Sequence, residues 1–166
     1  MGRNEHKKHV GFLGVMFIAT VIGLWVGMVV VRPRVTAPQS LKNEKTEQVK
    51  LQVGESEFLV EVRDDDQERA LGLSFRETLE DTEGMVFVFD SPDRPVFWMK
   101  DMLFDLDVVW IRDGEVVGVQ ENVPAPTLER PIATTMVPLV EVDMVLEVPA
   151  GVVERQGISL GDEVSW

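Results

Sequence analysis

Hydrophobic and polar residues alternate with a period of two along much of the chain beyond residue 48, which is typical of β-strands. Residues 49–53 and 58–62 are the first two alternating runs, and Gly54-Glu55-Ser56 separates them. Glycine and serine between two such runs favour a tight reversal of the chain. The start of this region is therefore predicted to be an antiparallel hairpin.

An acidic triplet, Asp64-Asp65-Asp66, precedes the sequence QERALGLSF. Carboxylates at the start of a helix accept hydrogen bonds from its free backbone N–H groups and interact favourably with the helix dipole. The triplet therefore predicts a short helix beside it. A calcium-binding loop is the alternative, but the glycine and the distant glutamate of the EF-hand spacing are missing.

Strand-type patterns continue almost to the C-terminus, with short turns between them. The predicted strands are Met85–Phe89, Pro95–Met102, Leu106–Arg112, Glu115–Glu121, Leu139–Val148 and a short final strand after Gly161-Asp162. Asp113-Gly114 is a strong signal for a two-residue hairpin turn. In the Leu139–Val148 strand, the acids Glu141, Asp143 and Glu147 are predicted to share a polar face.

Three connecting segments complete the pattern. Asp90–Arg94 predicts a turn, and residues 149–156 predict a helical turn. The proline-rich segment Asn122–Pro138 is long for a connection and is predicted to form a loop over one end of a barrel, with disorder as the alternative. The fold class predicted is α+β and β-rich: a compact antiparallel or mixed sheet, or a partly closed barrel, with one or two short helices.

One transmembrane helix is predicted to precede this domain. Val10–Val31 carries no charge for 22 residues, and at about 1.5 Å per residue a helix of that length spans the roughly 30 Å hydrocarbon layer of a bilayer. A cleaved signal peptide is the alternative, because Val35-Thr36-Ala37 resembles a cleavage site. Signal-peptide apolar regions run only about 7 to 15 residues, which favours a retained anchor.

The apolar segment divides the chain into a cytoplasmic flank (1–9), the anchor, a polar linker (32–48) and a single globular domain (49–166). Basic residues flank the anchor on both sides in nearly equal number. The short N-terminal flank is easily kept inside, so the domain is predicted to lie outside the cytoplasm on a single-pass anchor. Secretion after cleavage is the alternative location.

Charge and residue inventory exclude several classes of function. From Val35 onward, 28 acidic residues outnumber 11 basic ones, a net charge of −17 that repels nucleic acid. The chain has no cysteine, and its two histidines, His6 and His9, precede the apolar segment. Thiol chemistry, an imidazole metal cage and a Ser-His-Asp triad are therefore excluded from the domain, and neither a metal nor a cofactor is predicted.

The sequence FWMKDM, residues 97–102, contains the only lysine beyond Lys50. In a strand, Trp98, Lys100 and Met102 would face one side. Lys100 would then lay its methylenes along Trp98 and pair with Asp105 or Asp107, which is the packing interpretation. In the functional interpretation, the same lysine and aromatic plate stand at a cavity mouth and contact a ligand.

Arg69 and Arg76 are seven residues apart, so both could lie on one helix face if the helix extended to Arg76. Together with Lys100 they could frame an anion-binding mouth. The alternative is that each arginine pairs with neighbouring acids. The candidate ligand-binding residues are Arg69, Arg76, Trp98, Lys100 and Asp107.

Five blocks of sequence occur in a recognisable order: ERALGLSFRETL, GMVFVFD, FWMKDMLFDLDVVWI, MVLEVPAG and ISLGDEV. In order and spacing they resemble the uncharacterised domain-of-unknown-function family 192, over Val49–Val164. The resemblance implies a small β-rich domain with one or two helices, often behind a signal peptide or membrane anchor, and it brings no established activity. The chain departs from the family pattern at Ser74 and Asp105, where methionine and proline are usual, so packing near both is expected to differ.

Three functions remain open from the sequence. The first is a membrane-anchored extracytoplasmic binding domain for an anionic or envelope-derived ligand. The second is a carboxylate-dependent hydrolase of cell-envelope polymers that uses Asp101, Asp105 and Asp107. The third is a structural accessory domain for a membrane partner, which it would contact through the anchor.

Overall fold

The first alternating residues form the predicted hairpin in the computed structural model, which describes residues 48–166. Strand β1 (Gln48–Val53) pairs antiparallel with β2 (Ser56–Arg63), and Val53 lies opposite Ser56. Gly54 in the turn has φ +56°, a left-handed conformation that glycine adopts at little cost. The hairpin prediction is confirmed.

The acidic triplet starts a helix as predicted. Helix α1 (Asp66–Leu71) is capped by Asp65, whose carboxylate accepts hydrogen bonds from the backbone N–H groups of Gln67 and Glu68, both at 2.8 Å. Gly72 ends the helix with φ +50°. Because α1 connects β2 to the next strand, those two strands can run parallel.

The remaining elements follow the predicted order, with one added strand, Thr135–Met136, inside the Asn122–Pro138 segment predicted as a loop. They are β3 (Glu83–Asp93), β4 (Phe97–Trp98), β5 (Leu106–Arg112), β6 (Glu115–Val123), β7 (Thr135–Met136), β8 (Val142–Pro149), α2 (Val152–Gln156) and β9 (Val164–Ser165). Seven strands form one curled sheet in the order β6-β5-β8-β3-β2-β1-β9, and β4 pairs with β7 in a separate ribbon. Only β2 and β3 pair in parallel among the described strands. The α+β, β-rich fold with a mixed sheet and two short helices is confirmed.

The sheet separates two apolar clusters. Its α2 face packs helix α2 against residues that include Val60, Val86, Val109, Leu146 and Val148. Its opposite face carries a second cluster that includes Leu73, Met85, Phe87, Val108, Trp110 and Val145. Strand β8 lies between β5 and β3 in the plane of the sheet. Four consecutive residues in it, 145–148, are therefore buried.

The FWMKDM segment is less extended than predicted. Strand β4 contains only Phe97 and Trp98, and the chain turns at Lys100-Asp101, where Asp101 has φ +58°. The turn buries Met102 while Trp98 and Lys100 remain exposed. The prediction that Met102 shares their side is therefore wrong, since strand alternation stops at the turn.

Two other local predictions need correction. The segment predicted as a turn at Asp90–Arg94 lies largely in β3, which continues to Asp93 although its pairing with β8 is irregular between Val88 and Asp93. Glu147, predicted on a polar strand face, is buried because β8 occupies the middle of the sheet. Both differences depend on pairing with distant strands, which local alternation does not specify.

The predicted membrane anchor, Val10–Val31, lies outside the described residues. Within residues 48–166, none of the helices has the length and apolar character needed to cross a bilayer.

Candidate functional site

A cavity of about 240 Å³ opens on the opposite face of the sheet, beside the end of α1. Its walls come from α1, the segment after it, β3, and residues 95–98, and one residue comes from β8. The lining is largely apolar and aromatic, with Arg69, Phe87, Phe89, Phe97, Trp98 and Glu147 as its most distinctive members. Cavities of this character are the usual sites of small-molecule binding.

The segment that follows α1 is tied to the β4 turn, and this fixes one wall of the cavity. Gly72 donates its N–H to the carbonyl of Glu68 at 3.0 Å, and the chain then places Leu73 in the apolar cluster. The Ser74 hydroxyl donates to the carbonyl of Lys100 at 3.1 Å. Ser74 thus supplies a hydrogen bond that a methionine at this position could not donate.

The aromatic wall is held by edge-to-face packing. The rings of Phe87 and Phe97 meet at 90° with centroids 5.0 Å apart, and Phe97 meets Trp110 at 80° and 5.6 Å. Such contacts orient the rings beyond what apolar burial alone achieves. Trp98 also lines the cavity and is 55% exposed, so it stands at the mouth.

Glu147 is the one acidic residue among residues 48–166 that lines this cavity, and it is only 5% exposed. Its cross-strand neighbours are Met85 on β3 and Val108 on β5, both buried and apolar. Burial away from water raises the pKa of the Glu147 carboxyl to about 8. The group is therefore mostly protonated at neutral pH.

The Glu147 carboxyl belongs to a residue of the cavity lining and has no partner among the described residues. Within residues 48–166 no hydrogen bond or ion pair to this carboxyl is present. A buried acid of this kind in a cleft is a candidate for a functional group.

Arg69 reaches the cavity from α1 and is already engaged. Its guanidinium donates to the carbonyls of Asp64 and Val88, the latter at 2.9 Å, and to the carboxylate of Asp66 at 2.7 Å. It also lies over the ring of Phe89, with 5.2 Å to the ring centroid. These contacts hold the guanidinium in place as part of the wall.

Arg76 lies apart from the cavity lining, in an ion pair with Glu61. Both guanidinium nitrogens contact the Glu61 carboxylate, one at 2.6 Å, and Arg63 reaches the same carboxylate at 2.7 Å. Burial alone would raise the pKa of Glu61, but the hydrogen bonds and charge of Arg76, together with Arg63, outweigh it and lower the pKa. The two arginines predicted to share a site are thus separated, because α1 ends at Leu71, before Arg76.

Lys100 lies beside Trp98, as the sequence predicted. Its ammonium group is 5.6 Å from the centroid of the Trp98 ring and 3.4 Å from the carboxylate of Asp101. The carboxylate partner is therefore Asp101, not Asp105 or Asp107. Lys100 is exposed and contributes to the outer surface next to the mouth.

Asp107 is fully buried on the α2 face, across the sheet from the cavity. One carboxylate oxygen accepts from the N–H of Asn122 at 2.7 Å, and the other accepts from the N–H of Val153 at 3.0 Å. Asp105 accepts from the N–H of Ala125 at 2.8 Å. Both aspartates thus connect backbone segments that are distant in sequence.

Of the candidate residues from the sequence, the structure brings Arg69 and Trp98 together at the cavity and places Arg76, Lys100 and Asp107 elsewhere. Sequence reasoning missed the role of Glu147. The sequence did contain a sign that Glu147 is buried, because this acid lies between Leu146 and Val148 in a mostly apolar strand. In the described part of the chain, no cluster of three or more acidic, histidine or cysteine residues is suited to hold a metal ion.

Comparison with known proteins gives a family and a fold. The family model DUF192, described as Uncharacterized ACR, COG1430, matches residues 49–166. A protein of unknown function from Novosphingobium aromaticivorans is similar in structure, with a TM-score of 0.69 and 29% identity over 80% of this chain and 94% of its own. A protein from Sinorhizobium meliloti, provisionally described as a transcription regulator, has a TM-score of 0.65 and 26% identity over 72% of this chain and 94% of its own. No curated protein matches the sequence.

Proposed function

The chain belongs to DUF192, an uncharacterised domain family, and we propose that its β-rich domain binds a small, largely apolar molecule in the cavity beside α1. The observation that carries the proposal is the combination of an aromatic-lined cavity with one buried acidic group that has no partner within the described residues. Binding sites for small molecules commonly combine an apolar wall with a few polar groups that orient the ligand.

The size of the cavity fits this proposal. An apolar cavity of roughly 150 Å³ is large enough to bind benzene. The cavity beside α1 has about 240 Å³ and is open at Trp98, so a six-membered ring with a short substituent can enter. The edge-to-face contacts of Phe97 hold the wall in place before a ligand arrives, which reduces the entropy lost on binding.

The carboxylates of the hydrolase hypothesis do not form a pair at this cavity. Asp105 and Asp107 hold backbone N–H groups, and Asp101 pairs with Lys100. A two-carboxylate hydrolase requires an acid and a base or nucleophile across one cleft. Among residues 48–166 only Glu147 brings a carboxyl group to the cavity lining, which favours binding over hydrolysis.

The location of the binding domain is also part of the proposal. The uncharged segment Val10–Val31 supports a single-pass anchor with the domain outside the cytoplasm, and secretion after cleavage is the alternative. A ligand from the cell envelope or the surroundings would be accessible there. The net charge of −17 beyond residue 34 argues against DNA as a partner of this chain.

Binding of benzyl alcohol, a neutral ring with one substituent, tests the proposed site. In the full-length chain with labelled methionine methyl groups, we expect NMR shifts for Met102, which lines the cavity, and none for Met144, which packs toward the α2 face. Loss of the aromatic surface in Trp98→Ala should weaken binding several-fold.

Trp166→Ala is the matched control, because Trp166 has a similar exposure of 60% and does not line the cavity. It should bind benzyl alcohol like the unmodified chain. Equal weakening by the two tryptophan substitutions, or absence of any Met102 shift at millimolar benzyl alcohol, would refute the proposed site.

A further inference from the structure

Resting on the proposed binding site, we propose that the natural ligand is an amphipathic amine, in which an apolar or aromatic body carries a basic nitrogen that pairs with the Glu147 carboxyl. The apolar body would contact the phenylalanine and tryptophan wall, and the nitrogen would lie at the β8 side of the cavity.

The first support is the missing hydrogen-bond donor. An ionised carboxylate only accepts hydrogen bonds, and a buried one is stable only with donors or a cation nearby. No such group contacts Glu147 in the described part of the chain, and its neighbours across β3 and β5 are Met85 and Val108. A ligand with a protonated nitrogen supplies both the donors and the charge.

The charged groups around the cavity do not replace this partner. Helix α1 contributes Arg69, the other charged residue that lines the cavity among residues 48–166, and its guanidinium is paired with Asp66 and with two backbone carbonyls. The lining residues from β3 and from 95–98 are apolar or aromatic. Glu147 is thus left as the ionisable group of the cavity that has no partner of opposite charge among residues 48–166.

The surroundings also select the sign of the ligand's charge. Aromatic ring faces attract cations, and the strongly acidic domain attracts cations toward its surface. An anion would meet the same negative field and an acidic group at the cavity wall. The three cations of the anion-binding mouth considered from the sequence, Arg69, Arg76 and Lys100, each have an acidic partner.

Binding of the amine involves one proton. Because burial raises the pKa of Glu147 to about 8, the carboxyl of the free protein holds a proton at neutral pH. When an ammonium group enters and forms the ion pair, the carboxyl releases that proton to solvent, and no covalent bond changes. Below the pKa, affinity for the amine should therefore rise about tenfold per pH unit, with a plateau above it.

Titration calorimetry with benzylamine and benzyl alcohol tests the inference, because the two probes share the ring and differ in the basic nitrogen. For the full-length chain at pH 8 we expect benzylamine to bind at least tenfold more tightly than benzyl alcohol. The dissociation constant of benzylamine should fall about tenfold from pH 6 to pH 7, while that of benzyl alcohol should not fall.

Glu147→Gln should abolish both the amine preference and its pH dependence, since glutamine keeps the shape but cannot carry the charge. Glu121→Gln, which removes an exposed charge on β6, is the control and should retain both. If benzyl alcohol binds as tightly as benzylamine, or if the preference survives in Glu147→Gln, the amine inference is overturned while the proposed cavity site stands. If neither probe binds, the proposed function fails with it.

Discussion

Each face of the sheet buries an acidic side chain, on neighbouring strands, and the two differ in their hydrogen-bond partners. On the α2 face, Asp107 is fully enclosed, and each of its carboxylate oxygens accepts a backbone N–H. On the opposite face, Glu147 is almost as buried but lines a cavity, and its carboxyl has no hydrogen-bond partner within residues 48–166. In the sheet, Asp107 lies opposite Val148, the residue next to Glu147.

Hydrogen-bond partners distinguish a buried acid that supports the fold from one that is available to a ligand. Asp107 joins β5 to the end of β6 and to α2, so its charge stabilises the fold. Glu147 is tolerated by the fold although its carboxyl makes no hydrogen bond or ion pair within residues 48–166, since its ionisation is suppressed by the apolar surroundings. A group that the fold does not use, at the wall of a cavity, is available to a ligand.

The largest expected effect comes from titrating Glu147. Because its pKa is raised from 4.5 to about 8 on folding, the folded state holds a proton that the unfolded state releases above pH 4.5. The contribution of Glu147 to the free energy of unfolding should therefore be fully present below pH 4.5. It should be lost as the pH rises to 8, which lowers the free energy of unfolding by up to about 5 kcal/mol. Glu147→Gln should remove this decrease, as measured by urea unfolding at pH 5, 7 and 9. Identical pH dependence in the two proteins would contradict the burial of an unpartnered acid.

Removing Asp107 should have the next largest effect. Asp107→Ala would leave the N–H groups of Asn122 and Val153 without their acceptor, at a cost of about 3–5 kcal/mol in the free energy of unfolding. Asp90→Ala, at an exposed position, is the control and should change stability by less than about 0.5 kcal/mol. Similar stability of the two variants in urea titrations would show that Asp107 does not hold these segments.

A smaller effect is expected for the Arg76 ion pair, outside both buried acid sites. Arg76→Met should lower the free energy of unfolding by about 1–2 kcal/mol at pH 7, because Glu61 would keep only Arg63. The pKa of Glu61 is lowered in the folded protein, so this contribution is present above pH 4.5 and is lost as the pH falls through the folded pKa. A double-mutant cycle with Glu61→Gln at pH 7 and at pH 3 measures it. A coupling that is unchanged at low pH would contradict the ionic assignment.

The smallest effect is expected for Lys100. Lys100→Met should change stability by no more than about 0.5 kcal/mol, because the lysine is exposed and its contacts with Trp98 and Asp101 are screened by water. Benzylamine affinity should change less than twofold, since Lys100 does not line the cavity. Thermal unfolding and calorimetry measure the two effects. A tenfold loss of benzylamine affinity would show that the ligand binds at the exposed FWMKDM surface rather than in the cavity.

The sequence predicted elements that are defined locally. The turn at Gly54, the cap at Asp65 and the Asp113-Gly114 hairpin each depend on residues within a few positions, and all three occur in the structure. At the last of these, both central residues have positive φ, 52° for Asp113 and 75° for Gly114, as a type I′ turn requires.

Features that depend on distant strands were not predictable from local patterns. The burial of Glu147 follows from the position of β8 between β3 and β5, and alternation along β8 alone placed it on a polar face. The cavity requires Arg69, Phe87 and Trp98 to meet, although they come from three separate segments. Residue spacing and strand alternation supplied two members of that wall, Arg69 and Trp98, as candidates. Its acidic member, Glu147, could be recognised only once strand pairing was known.

The most direct test of the central claim is an NMR titration of the Glu147 side-chain carboxyl carbon in the full-length chain, with and without saturating benzylamine, using Glu147→Gln to assign the signal. We expect a pKa near 8 in the free protein and a decrease of at least one unit when the amine is bound. A pKa near 4.5 in the free protein, or a pKa near 8 that saturating benzylamine leaves unchanged, would contradict the assignment of Glu147 as the ligand-facing acid of this cavity.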